Sequence, residues 1–190
     1  MKSIFFIISS AVLLAACTTD ETKESNLAAE YFPLQIGNRW EYAYPKNGTW
    51  DVVTTYTIDS TMEIDGKMFY VVEITHKTFF DAREYRRYRT EGDILWEGLR
   101  VNGAYQVIKR ADFTLTADRT YRMPIYYEWD TANYVVSVLE KSDTKVRYLY
   151  EVPGMFDEEE FIGFEKGRGI VFYSREYQYG LELVRADLKP

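Results

Sequence analysis

Val146, Tyr148, Tyr150 and Val152 alternate with Arg147, Leu149 and Glu151. A period of two sends successive side chains to opposite faces of an extended chain, so this stretch has one apolar and one mixed face. The same pattern runs from Asp51 to Asp59, where Val52, Thr54, Tyr56 and Ile58 share a face. Ile64-Asp65-Gly66-Lys67 then supplies turn chemistry before extended structure resumes from Met68 to Lys77. Further strands are predicted at Glu84 to Thr90, Ile94 to Leu99, Tyr105 to Arg110, Thr120 to Tyr127, Tyr134 to Glu140, Ile170 to Tyr177 and Leu181 to Ala186. Short runs rich in Tyr, Val and Thr, punctuated by Gly, Asp and Asn, specify an all-β domain: a single antiparallel curved sheet or an open or closed β-barrel. No window carries a helical stripe, and only 25–30 offers a turn or two of helix, so little helix is expected.

The amino terminus reads differently. Lys2 precedes an apolar run from Ile4 to Leu14 that is too short to cross a hydrocarbon layer of about 30 Å, which makes it a signal peptide. It closes with Leu14-Ala15-Ala16-Cys17. This resembles the bacterial lipobox, and the resemblance implies cleavage before Cys17 with acyl chains, palmitate among them, on its sulfur and on the new amino terminus. The chain therefore divides into a cleaved signal (1–16), a lipidated cysteine with a flexible acidic tether (17–30) and one β domain (31–190). Thr18 stands where an inner-membrane retention aspartate would be, which favours an outer-membrane lipoprotein of the cell envelope, with the periplasmic and surface faces both open.

The formal net charge is −7, and signal cleavage removes Lys2 and deepens it. A balance of that sign repels phosphate backbones and argues against nucleic acid as a partner. Cys17 is the only cysteine, which rules out an intramolecular disulfide and, once lipidated, thiol catalysis. His76 is the only histidine, so no site with two histidine metal ligands can be built, and its phase with Val72 and Ile74 places it at a strand end. No cofactor or metal is expected, and the protein is expected to be a monomer.

Tyr31-Phe32-Pro33-Leu34-Gln35-Ile36-Gly37-Asn38-Arg39-Trp40-Glu41-Tyr42 resembles the opening of a group of uncharacterised bacterial lipoproteins and secreted proteins that share Pro-Leu, two residues, Gly-Asn, one residue, Trp, one residue, Tyr. Asp65 to Val72 resembles that group's turn and following strand, and Phe164-Glu165-Lys166-Gly167-Arg168-Gly169-Ile170-Val171 its late Lys-Gly-x-Gly-[Ile/Leu]-Val segment. The resemblance implies a curved sheet or open barrel similar to periplasmic lipoprotein carriers, and implies no settled activity. The residues themselves read as structural: Pro33 fixes the chain's approach, Gly37-Asn38 a tight turn, Trp40 a plug at one end of the core, and Gly167 and Gly169 turn or close-approach positions.

Candidate binding residues come from two segments. Between Arg83 and Arg89, Tyr85, Arg87 and Arg89 share one strand face and Arg86 and Tyr88 the other, which offers forked hydrogen bonds beside an aromatic platform. Tyr126 and Trp129 flank acceptors in Tyr126-Tyr127-Glu128-Trp129-Asp130, as sugar-binding surfaces do. Asp157-Glu158-Glu159-Glu160 reads as a solvated acidic turn. The expected function is that of a ligand-binding or accessory module, without enzymatic activity, in which the aromatic inner face holds a lipid, a glycan or another small apolar molecule. Alternatives are an envelope protein- or glycan-interaction protein, and a glycan hydrolase drawing two carboxylates from Glu73, Glu97, Glu128 and Glu140.

Overall fold

The computed structural model describes residues 26–45, 51–77, 82–126, 131–155, 158–175 and 180–190. The lipobox, with Cys17, lies outside them. One short helix, α1 (Leu27–Tyr31), precedes β1 (Arg39–Ala43), β2 (Val52–Ile64), β3 (Lys67–His76), β4 (Arg83–Glu91), β5 (Ile94–Val101) and β6 (Ala104–Asp112). The second half adds β7 (Thr120–Tyr126), β8 (Thr131–Lys141), β9 (Lys145–Glu151), β10 (Glu160–Glu165), β11 (Gly169–Arg175) and β12 (Leu181–Asp187). All the strands join one antiparallel sheet in the order β6-β5-β4-β3-β2-β1-β12-β11-β10-β9-β8-β7, curled into a nearly closed barrel. Two meanders are thus stitched together where β1 pairs with β12, Trp40 opposite Ala186.

The expected all-β architecture holds, and so does its period-two reasoning: Val146, Tyr148, Tyr150 and Val152 are all buried. Strand β10 was not foreseen. Its first residue, Glu160, was assigned to a solvated acidic turn and is instead 2% exposed, because pairing with β9 and β11 carries it inside; Asp157 lies outside the described residues. The tether also ends earlier than expected. Asn26 caps α1 by accepting from the Ala29 amide, and Ala28 is fully buried with its amide bonded to the Gly92 carbonyl.

α1 and its neighbours seal one end of the barrel with rings. Tyr31 stacks on Phe113 at 4.7 Å, and Phe32 meets Trp40, Tyr88 and Phe164 at centroid distances of 5.5 to 6.1 Å. Trp40 is fully buried and its indole N–H donates to the Arg168 carbonyl at 2.6 Å. Gly169 has φ +89°, and a Cβ there would stand 2.8 Å from the Trp40 Nε1, so only glycine lets the two segments approach. Asn38 ties the opening turn to the segment just before it and to the stretch after β12, donating to the Pro33 carbonyl and accepting from the Lys189 amide. Gly37, in the same turn at φ +92°, donates its amide to the Ile58 carbonyl, while the Gly167 amide bonds the Glu30 carbonyl.

No backbone ladder joins β6 to β7 among the described residues. Tyrosine hydroxyls take its place: Tyr121 and Tyr150 both donate to the Arg110 carbonyl at 2.7 Å, and Tyr148 to that of Asp112 at 2.8 Å. Lys141 adds bonds to the Phe113 and Leu115 carbonyls. Carbonyls that a neighbouring strand would otherwise satisfy are therefore met by side chains reaching across the lumen.

Candidate functional site

Below the aromatic plug the interior changes from apolar to charged. Alternation along β4 turns Arg86 and Tyr88 inward, along β5 Glu97, along β6 Arg110, and along β10 Glu160. Arg110 is ion-paired to Glu160 and lies 3.5 Å from Glu97. Arg86 pairs with Glu84 at 2.7 Å and approaches Glu97 at 3.8 Å. The Arg110 guanidinium also lies 4.6 Å from the centroid of the Tyr150 ring. Burial opposes both arginine charges, but the carboxylates and tyrosines around them outweigh it and keep both cationic. Burial pushes the Glu84 carboxyl up, while Arg86, Arg175 and His76 pull it further down, leaving it below the usual range.

These groups border a cavity of about 380 Å³. Its opposite wall is apolar: Leu99 and Ile108 come from β5 and β6, Met123, Pro124 and Ile125 from β7, and Tyr134 from β8. The geometry of the wall explains the opening. β4 and β5 pair only from Tyr88 opposite Glu97 to Glu91 opposite Ile94. Beyond Tyr88, β4 continues along β3 as far as Arg83, while β5 stays with β6 to its end at Val101. The two strands therefore part at Arg87 and Gly98, leaving a slot flanked by Tyr85 and Arg87 on one side and Arg100 on the other.

Of the predicted binding residues, Tyr85, Arg87 and Tyr126 line this cavity. Arg89 does not. It is held on the outer face between Phe69 and Trp96, at 5.3 and 5.8 Å, and pairs with Glu91. Trp129 and Glu128 lie outside the described residues. The hydrolase carboxylates do not converge, since Glu73 pairs with Arg83 and Glu140 with Arg147 away from Glu97. His76 stands at the end of β3, its Nδ1 3.1 Å from the Thr54 hydroxyl. No group of three or more His, Cys, Asp or Glu fit to hold a metal occurs among the described residues.

Sequence reasoning missed Arg86, Glu97, Arg110 and Glu160 as one cluster. The available signal was the inward phase of Arg86 with Tyr88, a charged residue sharing a strand face with a core aromatic. The inner face also differs from expectation, because its rings fill the sealed end and leave the cavity a mixed lining of charged and apolar groups.

No protein-family model and no curated protein matches this sequence. Among solved structures, the chain is similar to a protein of Bacteroides fragilis NCTC 9343 provisionally described as exported, with a YmcC-like fold. That pair has a TM-score of 0.44 and 16% identity, over 83% of this chain and 99% of the other. It is also similar to a protein of Parabacteroides distasonis ATCC 8503 provisionally described as a lipoprotein, at a TM-score of 0.41 and 9% identity, over 82% and 97% of the two chains. At these identities no residue's role passes from one chain to the other.

Proposed function

We propose that this protein is a lipid-anchored bacterial envelope protein whose barrel is a ligand-binding module. Leu14 to Cys17 supports the anchor. The observation that carries the binding role is the cavity: about 380 Å³, within the range of small-molecule sites, reached through a gap in the wall of a barrel whose other end is packed solid. Burying Arg86 and Arg110 among three carboxylates is costly, and a purely structural interior is as stable with apolar residues in their place, so a charged cluster retained beside this cavity supports a binding role.

The test is native mass spectrometry of the protein extracted from its own membrane. Wild type should carry a small molecule beyond the acyl chains, and Leu99→Trp, which fills the cavity, should not. A wild-type mass equal to that of the lipidated chain, unchanged after incubation with an extract of the same envelope, would contradict the assignment.

A further inference from the structure

Resting on the reading of the cavity as a ligand site, we propose that its occupant is a small organic acid. Its anionic group is held by Arg175, and its apolar body lies along Leu99, Ile108, Met123 and Ile125.

Charge is the first argument. Five arginines line the cavity against three glutamates, a surplus of two positive charges in a chain whose net charge is −7. Such a local reversal inside an acidic molecule focuses anions and repels cations. The surplus is not spread evenly. Arg86 and Arg110 are matched by Glu84, Glu97 and Glu160, whereas among the described residues Arg87, Arg100 and Arg175 have no carboxylate within ion-pair distance.

Arg87 is engaged nonetheless, donating to the Tyr85 carbonyl and stacking 5.5 Å from the Tyr105 ring. Arg100 stands at the slot, where it can steer an anion inward. Arg175 is the remaining cation, exposed at the end of β11 on the rim of the cavity. It lies opposite Glu160 across β10 and β11, and its charge feels Tyr173, Glu160, Arg86 and Tyr134. A guanidinium there presents a planar fork that a carboxylate meets with two parallel bonds.

The apolar wall supplies the second argument. An inorganic anion would leave that wall facing water, and a neutral apolar molecule would leave the Arg175 fork without an anionic partner. An acid carrying an apolar body satisfies both walls at once.

The experiment titrates the full lipidated protein in nanodiscs with phenylbutyrate, phenylbutanamide and phenylbutylamine, three probes that share a body and differ in charge. Phenylbutyrate should bind about tenfold or more tightly than the amide, with the amine weakest, as one charge-assisted fork implies. Arg175→Gln should remove that advantage without moving the melting temperature, Arg175→Lys should keep part of it, and Leu99→Trp should abolish binding of every probe. Equal binding of acid and amide, or an acid affinity indifferent to Arg175→Gln, would overturn the organic-acid assignment while leaving the cavity as a site. Acid binding that survives Leu99→Trp would place the ligand elsewhere, and no binding by any probe would overturn the site itself.

Discussion

Trp40 joins the opening segment to the late glycine turn, since its indole N–H meets the Arg168 carbonyl and its ring forbids any side chain at Gly169. Trp40→Ala should therefore cost about 3 to 5 kcal/mol in a denaturant melt, the range for emptying a core aromatic. Trp40→Phe keeps most of the volume and orphans only the carbonyl, so it should cost about 1 to 3 kcal/mol. Arg110 behaves differently. Arg110→Met leaves Glu97 and Glu160 buried without a shared counter-charge and should cost about 3 to 5 kcal/mol, and adding Glu97→Gln and Glu160→Gln to it should restore most of the loss. A triple variant no more stable than the single one would show that the arginine acts through packing alone. The two residues differ in how visible they are beforehand. Trp40 is legible because glycines and a proline frame it in a short local pattern, whereas Arg110 and Glu160 are 50 positions apart and nothing local marks them as partners.

At the level of elements, strands announce themselves wherever a buried face alternates, as in β9. β10 escaped for a physical reason. Gly163 interrupts its alternation, and it begins inside an acidic run, so a segment buried on both flanks reads as a loop. The β6-β7 seam was equally hidden, since aromatic enrichment predicts strands without saying which hydroxyls stand in for a ladder. Tyr148→Phe and Tyr150→Phe should each cost about 0.5 to 1.5 kcal/mol, because each removes one hydrogen bond from a carbonyl that keeps a second donor, the Leu115 amide at Asp112 and the Tyr121 hydroxyl at Arg110. The seam also has a pH signature. Burial raises the Tyr121, Tyr148 and Tyr150 hydroxyls above the ordinary value of 10. Groups that hold their protons more tightly when folded contribute fully below that value, and the contribution is lost as pH rises past it. Tyrosinate absorbance should accordingly show a set of tyrosines that ionises only as circular dichroism is lost. A smooth titration of every tyrosine near pH 10 with the fold intact would contradict the seam.

For the whole molecule, the barrel has two unlike ends, and the proposed anchor at Cys17 precedes both. Cys17→Ser should move the protein from the detergent phase to the aqueous phase on partitioning, because multiple acyl chains hold what one cannot; equal partitioning of the two forms would remove the lipid. The central claim is that the wall is packed around α1 and parted between β4 and β5, since the cavity, its slot and its charge all follow from that split. Amide hydrogen exchange resolved by residue tests it most directly. Alternate amides within 83–87 of β4 and 98–101 of β5, those turned toward the gap, should exchange orders of magnitude faster than those of Tyr56, Ile58, Tyr148 and Tyr150. Uniform protection along both strands would mean a continuous ladder, and with it a closed wall and no slot.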